Sequence, residues 1–456
     1  MKLVVSFKEE FFVTKEISPE QLADFQANLN TQPAHAVIER AVTKNGILKT
    51  AADWQAEVDM APVFSIDLDT GKVANQKQSG RCWMFAALNT MRHDMKNKLK
   101  IEGDFELSQS YTFFWDKLEK ANYFYQNVLA TAQLPTSDRK VAWLMTTPQQ
   151  DGGQWDMFMA IIEKYGVVPK SVMPESFSSS ASREFNATLN LKLRKDAVEL
   201  RKLVAANASE AEIAKRKEEM LAEVYRMASY SFGQPPVKFD FEYRDSDKNY
   251  HIDRDLTPKA FFDKYIGWNL SDYVSIINAP TADKPYNHMY TVEMLGNVVG
   301  GRQVRHLNVD MATFKQVAID QLKAGESVWF GCDVGQESDR QKGIMDTNLY
   351  HKDELFNVDM QMTKADRLDY GESLMTHAMV LTGVDLVDDK PTKWKVENSW
   401  GEKVGTKGFF VMSDAWMDEY CYQVVVNKKF LPAELQEVLT EEPKVLAPWD
   451  PMGALA

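Results

Sequence analysis

NQKQSGRCWMF, from Asn75 to Phe85, decides the fold. It sets the first cysteine of the chain directly before a tryptophan, behind a glycine-containing turn, at the head of an apolar segment. Beyond it Trp83, Ala87, Met91, Met95 and Leu99 recur at about one-turn spacing, which predicts a helix from Cys82 to Lys100 with one buried face. Cys82 then stands in the first turn, where unpaired backbone N–H groups favour a thiolate. A packed core offers the same residue pair, because cysteine is among the most buried residue types. The rest of the chain must separate a nucleophile from a core thiol.

A thiol nucleophile needs a base, and the base needs a group to orient it. His377 begins the run HAMVLTGVDL and Asn398 closes the next one, TKWKVENSWG. Read as neighbouring strands, they let the Asn398 oxygen accept the imidazole N–H, while the Trp400 indole shields that bond from water. Of the seven histidines only His377 has this setting. Taken singly, His377 reads as a satisfied core histidine and Asn398 as a turn residue before Gly401; with Cys82 they read as one reaction centre. Gln76, shortly before Cys82, can add its side-chain amide to the Cys82 backbone N–H as an oxyanion hole, and Gln78 is a rival for that place.

The surrounding pattern is helical early and strand-rich late, an α+β arrangement of two lobes with a cleft between them. SPEQLADFQANL and AHAVIERAVTKNG predict helices between Ser18 and Ala52, the second stopped by Asn-Gly. From Ser182 to Tyr230 the stripe Leu193, Ala197, Leu200 and Val204, then a capping box at Ser209–Glu212, predict an exposed helical hairpin that packs against something. SVWFGCDV, HAMVLTGVDL, TKWKVENSW and GFFVMSD read as strands of an antiparallel sheet or barrel. The domains expected are an N-terminal helical arm (1–60), a helical lobe with Cys82 (61–180), a helical insertion (181–260), a β-barrel lobe with His377 and Asn398 (261–430) and a C-terminal arm (431–456).

With 456 residues, 44% of them hydrophobic, the chain has ample core material. Its three cysteines, Cys82, Cys332 and Cys421, suit a reducing compartment, and without a CxxC pair no structural metal is expected. No stretch approaches the roughly 20 apolar residues of a membrane span. Lys8, Glu9 and Glu10 come too early for a secretory signal, so a cytoplasmic address is expected. A net charge of −13 opposes broad contact with nucleic acid.

On these residues the chain resembles the papain-like cysteine peptidases, and within them the bleomycin hydrolase and aminopeptidase C branch. The resemblance runs from about Ala36 through NQKQSGRCWMFAALNT, YTFFWDKLEKANYF, TPQQDGGQWDMF, INAPTADKPYN, GESLMTHAMVLTGVD and KVENSWG to the tail LAPWDPMGALA. It implies a papain-like two-lobed fold and a cysteine aminopeptidase that needs no cofactor or metal, with an endopeptidase using the same residues as the alternative. Carried over, the nucleophile falls on Cys82, the base on His377, the orienting group on Asn398 and the oxyanion glutamine on Gln76. Gly152 and Gly153 match the glycine pair that lines the substrate cleft, supported by Trp83 and Trp400. A homohexameric ring with the active sites facing an internal channel is also implied.

Two departures mark the resemblance. Ser79 and Arg81 stand where the papain signature has cysteine and serine or alanine, and His377 follows Cys82 at about twice the usual spacing of roughly 130 to 150 residues. The tail is neither polar nor flexible in composition: two prolines oppose a helix, and Trp449, Met452 and Leu455 favour docking as an extended arm. The resemblance implies that this arm enters the cleft of its own subunit. The Ala456 carboxylate there would pair with a substrate's α-ammonium.

Overall fold

The apolar segment after Arg81 becomes the central element. In the computed structural model, which describes residues 16–101 and 103–456, the helix runs Cys82–Leu99, and every residue from Cys82 to His93 is buried. The expected single buried face is therefore a helix enclosed on all sides over its first three turns. It packs against the strand His377–Val387 and against the helices Gln109–Ala130 and Trp155–Tyr165.

The late runs form the strands Val328–Cys332, His377–Val387, Lys390–Glu397 and Phe409–Ser413. They belong to one sheet in which Cys421–Asn427, Val328–Cys332, His377–Val387, Lys390–Glu397 and Phe409–Ser413 follow one another in antiparallel pairing. The two-residue side-chain period splits this sheet between two cores. Trp329, Ala378 and Val380 join the cluster built around the Cys82 helix. Phe330, Met379 and Leu381 join a second cluster roofed by the helices Met311–Lys323 and Asp414–Tyr420. A strand buried on both faces favours a run of apolar residues, and Ala378–Leu381 supplies one, with Thr382 buried beyond it.

The helical insertion is Arg183–Ala205 and Glu210–Phe232. Ser209 and Glu212 form the capping box, and Gly233 ends the second helix with φ 86°. Its apolar stripe does not wait for a partner: Leu189, Leu193, Ala197, Leu200, Met220 and Val224 are buried within the core cluster that includes the Gln109–Ala130 helix.

Among the described residues, 16–54 together with Tyr350–Met360 form a separate compact unit. It holds the helices Pro19–Thr31, His35–Asn45, Ile47–Ala51 and Lys352–Phe356, the first capped by Ser18 and the second stopped at Gly46 with φ 83°. The unit therefore ends a few residues before the boundary expected near 60. Residues 1–15 of the expected arm, with Lys8, Glu9 and Glu10, lie outside the described residues. Among the described residues no helix is long and apolar enough to cross a membrane.

The C-terminal arm is tied down along its length. Lys444–Leu446 pairs in parallel with His288–Val292, and Asp450 forms an ion pair with the buried Lys284 at 3.0 Å. The arm is not wholly extended: Pro451–Gly453 makes one 3₁₀ turn. Pro451 starts it, where its missing N–H costs nothing, and the Asp450 side chain caps it. Met452 and Ala456 are buried, and Trp449 carries the Arg139 guanidinium on its face at 3.8 Å.

Candidate active site

Cys82, His377, Gln76, Gly152, Leu455 and Ala456 line one cavity of about 260 Å³. Cys82 opens its helix, preceded by Arg81 in non-helical geometry with no side-chain cap. Burial pushes its thiol up to about 11; the N–H groups of Ala378, Trp83 and Cys82 act in the opposite direction, and the Asp151 charge adds to the rise. The helix terminus thus favours the thiolate, as expected, but burial outweighs it in the resting cavity.

His377 begins its strand and Asn398 follows the end of the neighbouring one, so the pairing of Val380 with Glu397 brings them together. His377 Nε2 lies 2.9 Å from Asn398 Oδ1. An oxygen acceptor there keeps the proton on Nε2 and leaves Nδ1 as the basic nitrogen. Trp400 packs on the imidazole with ring centroids 4.9 Å apart, and the Arg340 guanidinium lies 4.2 Å from the Trp400 ring centre. Burial pushes His377 down to about 4; the Asn398 bond opposes that, and the Arg340 charge reinforces it. No hydrogen bond joins the Cys82 thiol to His377 among the described residues, and burial favours the neutral form of each. Moving the proton between them creates opposite charges in one cavity, and their attraction opposes both shifts.

Gln76 and Gln78 part at the turn between them, where Lys77 takes φ 56°. Gln76 is buried, its N–H bonded to the Ser399 oxygen at 2.8 Å. Its side-chain oxygen accepts from the Ser399 hydroxyl, and its amide nitrogen donates to the Ser79 oxygen at 2.7 Å. Gln78 is exposed and pairs by its backbone with Ser180 and Ser182, away from the cavity.

The glycine pair meets the tail. Gly153 N–H donates to the Ala456 oxygen at 3.2 Å, and Ala456 N–H donates to the Gly153 oxygen at 3.3 Å. A Cβ on Gly152 would lie 2.6 Å from the Ala456 oxygen, and one on Gly153 would lie 2.6 Å from the Trp83 ring. Glycine at 152 therefore leaves room for the docked tail, and glycine at 153 leaves room for the Trp83 ring. Trp83 is fully buried and donates its indole N–H to the Asp151 oxygen at 2.7 Å.

Two buried networks, unmarked in the sequence, hold these parts. Lys120 Nζ donates to the oxygens of Gln150 (2.8 Å) and Gly152 (2.6 Å), fixing the backbone that receives the tail. One turn earlier, Lys117 Nζ donates to Gln149, Asp151 and Asn186, so all three ammonium protons have acceptors and the pair with Asp151 is charged. Burial works against ionisation of Asp151, but Lys117, Ser182 and the Gly80 N–H hold its carboxyl well below the usual range. Through Gly80 this network reaches the turn before Cys82. In the second network Glu397, next to Asn398, binds Asn89 at 3.0 Å, Arg92 at 2.9 Å and His93 at 3.0 Å on the Cys82 helix. Burial pushes His93 down, so Arg92 carries the balancing charge at neutral pH. Each network joins residues far apart in the chain, which no local motif could mark.

Among the described residues no group of three or more His, Cys, Asp or Glu side chains is placed to hold a metal ion. What the cavity assembles is a thiol, an imidazole held by an asparagine oxygen, and amide donors, the groups needed for acyl transfer.

Comparison with known proteins agrees with that chemistry: the model of the peptidase C1-like family matches residues 16–453. The chain belongs to this family. It is similar to Aminopeptidase C of Lactobacillus delbrueckii subsp. lactis, 57% identical over 447 residues that cover 97% of this chain and 99% of that one. Aminopeptidase C of Streptococcus thermophilus is 58% identical over 445 residues, with the same coverage of both chains. The crystal structure of PepW from Lactobacillus rhamnosis HN001 superposes with a TM-score of 0.96 at 70% identity, covering 97% of this peptidase and 99% of that chain. The fold is papain-like, with a helical lobe carrying Cys82 and a sheet lobe carrying His377 and Asn398.

Proposed function

We infer that the chain is a cysteine aminopeptidase, a hydrolase that acts on peptides and releases their N-terminal residues; its relatives bearing the name Aminopeptidase C support this over nearly the whole length. In the mechanism proposed, His377 takes the Cys82 proton as the sulfur attacks the first peptide carbonyl. Gln76 and the Cys82 N–H receive the developing oxyanion. The C–N bond breaks as His377 returns its proton to the leaving amine, leaving a thioester. Water then attacks, losing its proton to His377, and the C–S bond breaks to restore the thiol and release the amino acid.

The observation that carries the exopeptidase reading is the Gly153–Ala456 pairing beside Cys82. A tail bonded there occupies the cleft on the substrate's N-terminal side and brings a carboxylate to meet an α-ammonium. The cavity lining offers no lysine or arginine to compete for it. The chain is proposed to act as a cytoplasmic homohexamer, a reading that rests on family resemblance.

The test is hydrolysis of one aminoacyl amide reporter, free or acetylated at its amine, by the wild type and Cys82→Ala. Turnover of the free form alone, lost in the variant, supports the reading. Equal turnover of both forms would favour an endopeptidase, and activity surviving in Cys82→Ala would remove the assignment of the nucleophile.

A further inference from the structure

The leaving side of the cleft carries an arginine that the reaction as described does not use. This inference rests on the aminopeptidase reading. The leaving nitrogen is the atom that His377 protonates, so the departing chain begins at the imidazole. The Gly152–Gly153 wall is filled by the tail, and the surface next to the imidazole is the Trp400 indole, 4.9 Å away between ring centroids. Over that indole, 4.2 Å from its centre, lies the Arg340 guanidinium.

Arg340 stands in the turn between the short strands Ser338–Asp339 and Ile344–Met345 and is exposed. No carboxylate among the described residues forms an ion pair with it, although its neighbour Lys342 pairs with Glu57 and Asp339. Stacking on an aromatic face fixes the plane of a guanidinium while its N–H edges stay open, which is the preorganised form for two-pronged binding of a carboxylate. The two successive contacts keep the guanidinium within about 9 Å of the imidazole centre, in reach of a carboxylate one or two residues beyond the leaving nitrogen at roughly 3.3 to 3.6 Å of chain per residue.

We propose that Arg340 is a specificity-determining residue that binds a carboxylate carried by the leaving chain within two residues of the cleaved bond. The enzyme then favours short peptides, whose own C-terminal carboxylate falls at that distance, and peptides with an acidic side chain there. The amine and the leaving carboxylate are read at opposite ends of one short substrate, the first by Ala456 and the second by Arg340.

The experiment compares kcat/KM for three peptides with the same N-terminal residue: Leu-Gly-Gly, its C-terminal amide, and Leu-Asp-Gly amide. Wild type, Arg340→Met and Arg340→Lys are measured at low and high salt. The wild type should prefer the free acid over its amide by about two- to fivefold, the range for a solvent-accessible charged contact. The ratio should approach one in Arg340→Met, recover in part in Arg340→Lys, and shrink with salt. Preference for the free acid alone identifies the α-carboxylate as the group bound, and preference shared by the aspartyl amide adds the side chain. All three peptides carry the same free amine, so the ratio is independent of the tail. A wild-type ratio of one, or a preference that survives in Arg340→Met, overturns the assignment of Arg340 and leaves the aminopeptidase reading intact. Absence of turnover on these peptides and on aminoacyl amides alike overturns both.

Discussion

Gly153 and Ala456 exchange two backbone hydrogen bonds, 3.2 Å in one direction and 3.3 Å in the other, so the last residue of the chain occupies a backbone-pairing position beside Cys82. In the proposed reading a substrate backbone would otherwise use the same donor and acceptor. Deleting Ala454–Ala456 should free the pair and remove the carboxylate. The ratio of kcat/KM for free over acetylated reporters should fall at least tenfold, with acetylated peptides turned over better than by the wild type. A ratio that survives the deletion would show that the amine is read elsewhere.

The two glycines should fail in different ways. The Cβ of Gly152→Ala meets the tail, at the Ala456 oxygen and 2.9 Å from Leu455 Cβ, and a chain end can lift away. This variant should keep its melting temperature within a few degrees while its preference for free amines weakens. The Cβ of Gly153→Ala meets three atoms of the fully buried Trp83 ring. It should cost about 1 to 3 kcal/mol, the usual penalty of overpacking. Urea unfolding of the two variants, read beside their free-to-acetylated activity ratios, checks the contrast.

Glu397 links the strand end that carries Asn398 to the helix that carries Cys82. Removing one partner of a buried ion pair strands the other, so Glu397→Gln should destabilise the protein by about 3 to 5 kcal/mol. Burial raises the cost of charging Glu397, but His93 and Arg92 more than offset it and hold its carboxyl below the ordinary 4.5. A depressed carboxylate stabilises the fold above its unfolded pKa, and that contribution is lost as pH falls through the folded value. The difference in urea midpoint between wild type and Glu397→Gln should therefore be full at pH 7 and narrow as the pH is lowered below about 4.5. A constant difference across that range would contradict the clamp.

Arg340 also bears on His377, the proposed base. Its charge adds to the burial that holds His377 low. Arg340→Met should let the imidazole protonate at higher pH, moving the acid limb of kcat/KM upward. A limb that moves downward or stays fixed would mean that the guanidinium field does not reach the ring.

Cys82, His377 and Asn398 were legible because each sits where a local pattern changes: a helix start, a strand start and a strand end. The tail was legible from composition, since Trp449, Met452 and two prolines at a chain end ask for a docking groove, although the 3₁₀ turn at Pro451 was not foreseen. Gln76 and Gln78 could not be separated by residue type. Their fates depend on the backbone at Lys77, and only the resemblance favoured Gln76. The stripe on the Cys82 helix suggested one buried face because Asn89, Arg92 and His93 look solvent-facing in sequence. They are buried because Glu397 lies opposite them. Lys117 and Lys120 were invisible for the same reason: a buried lysine is identified by the acceptors around it, and here, apart from Asp116 beside Lys120, these lie about thirty residues or more away.

Cys82 as the nucleophile is tested most directly by the mass of the acyl-enzyme. Wild type mixed with a free aminoacyl ester, quenched in acid and digested, should carry the aminoacyl group as a thioester on the peptide containing Cys82. Cys82→Ala should carry none. An adduct on any other residue, or turnover that continues in Cys82→Ala, would contradict the account.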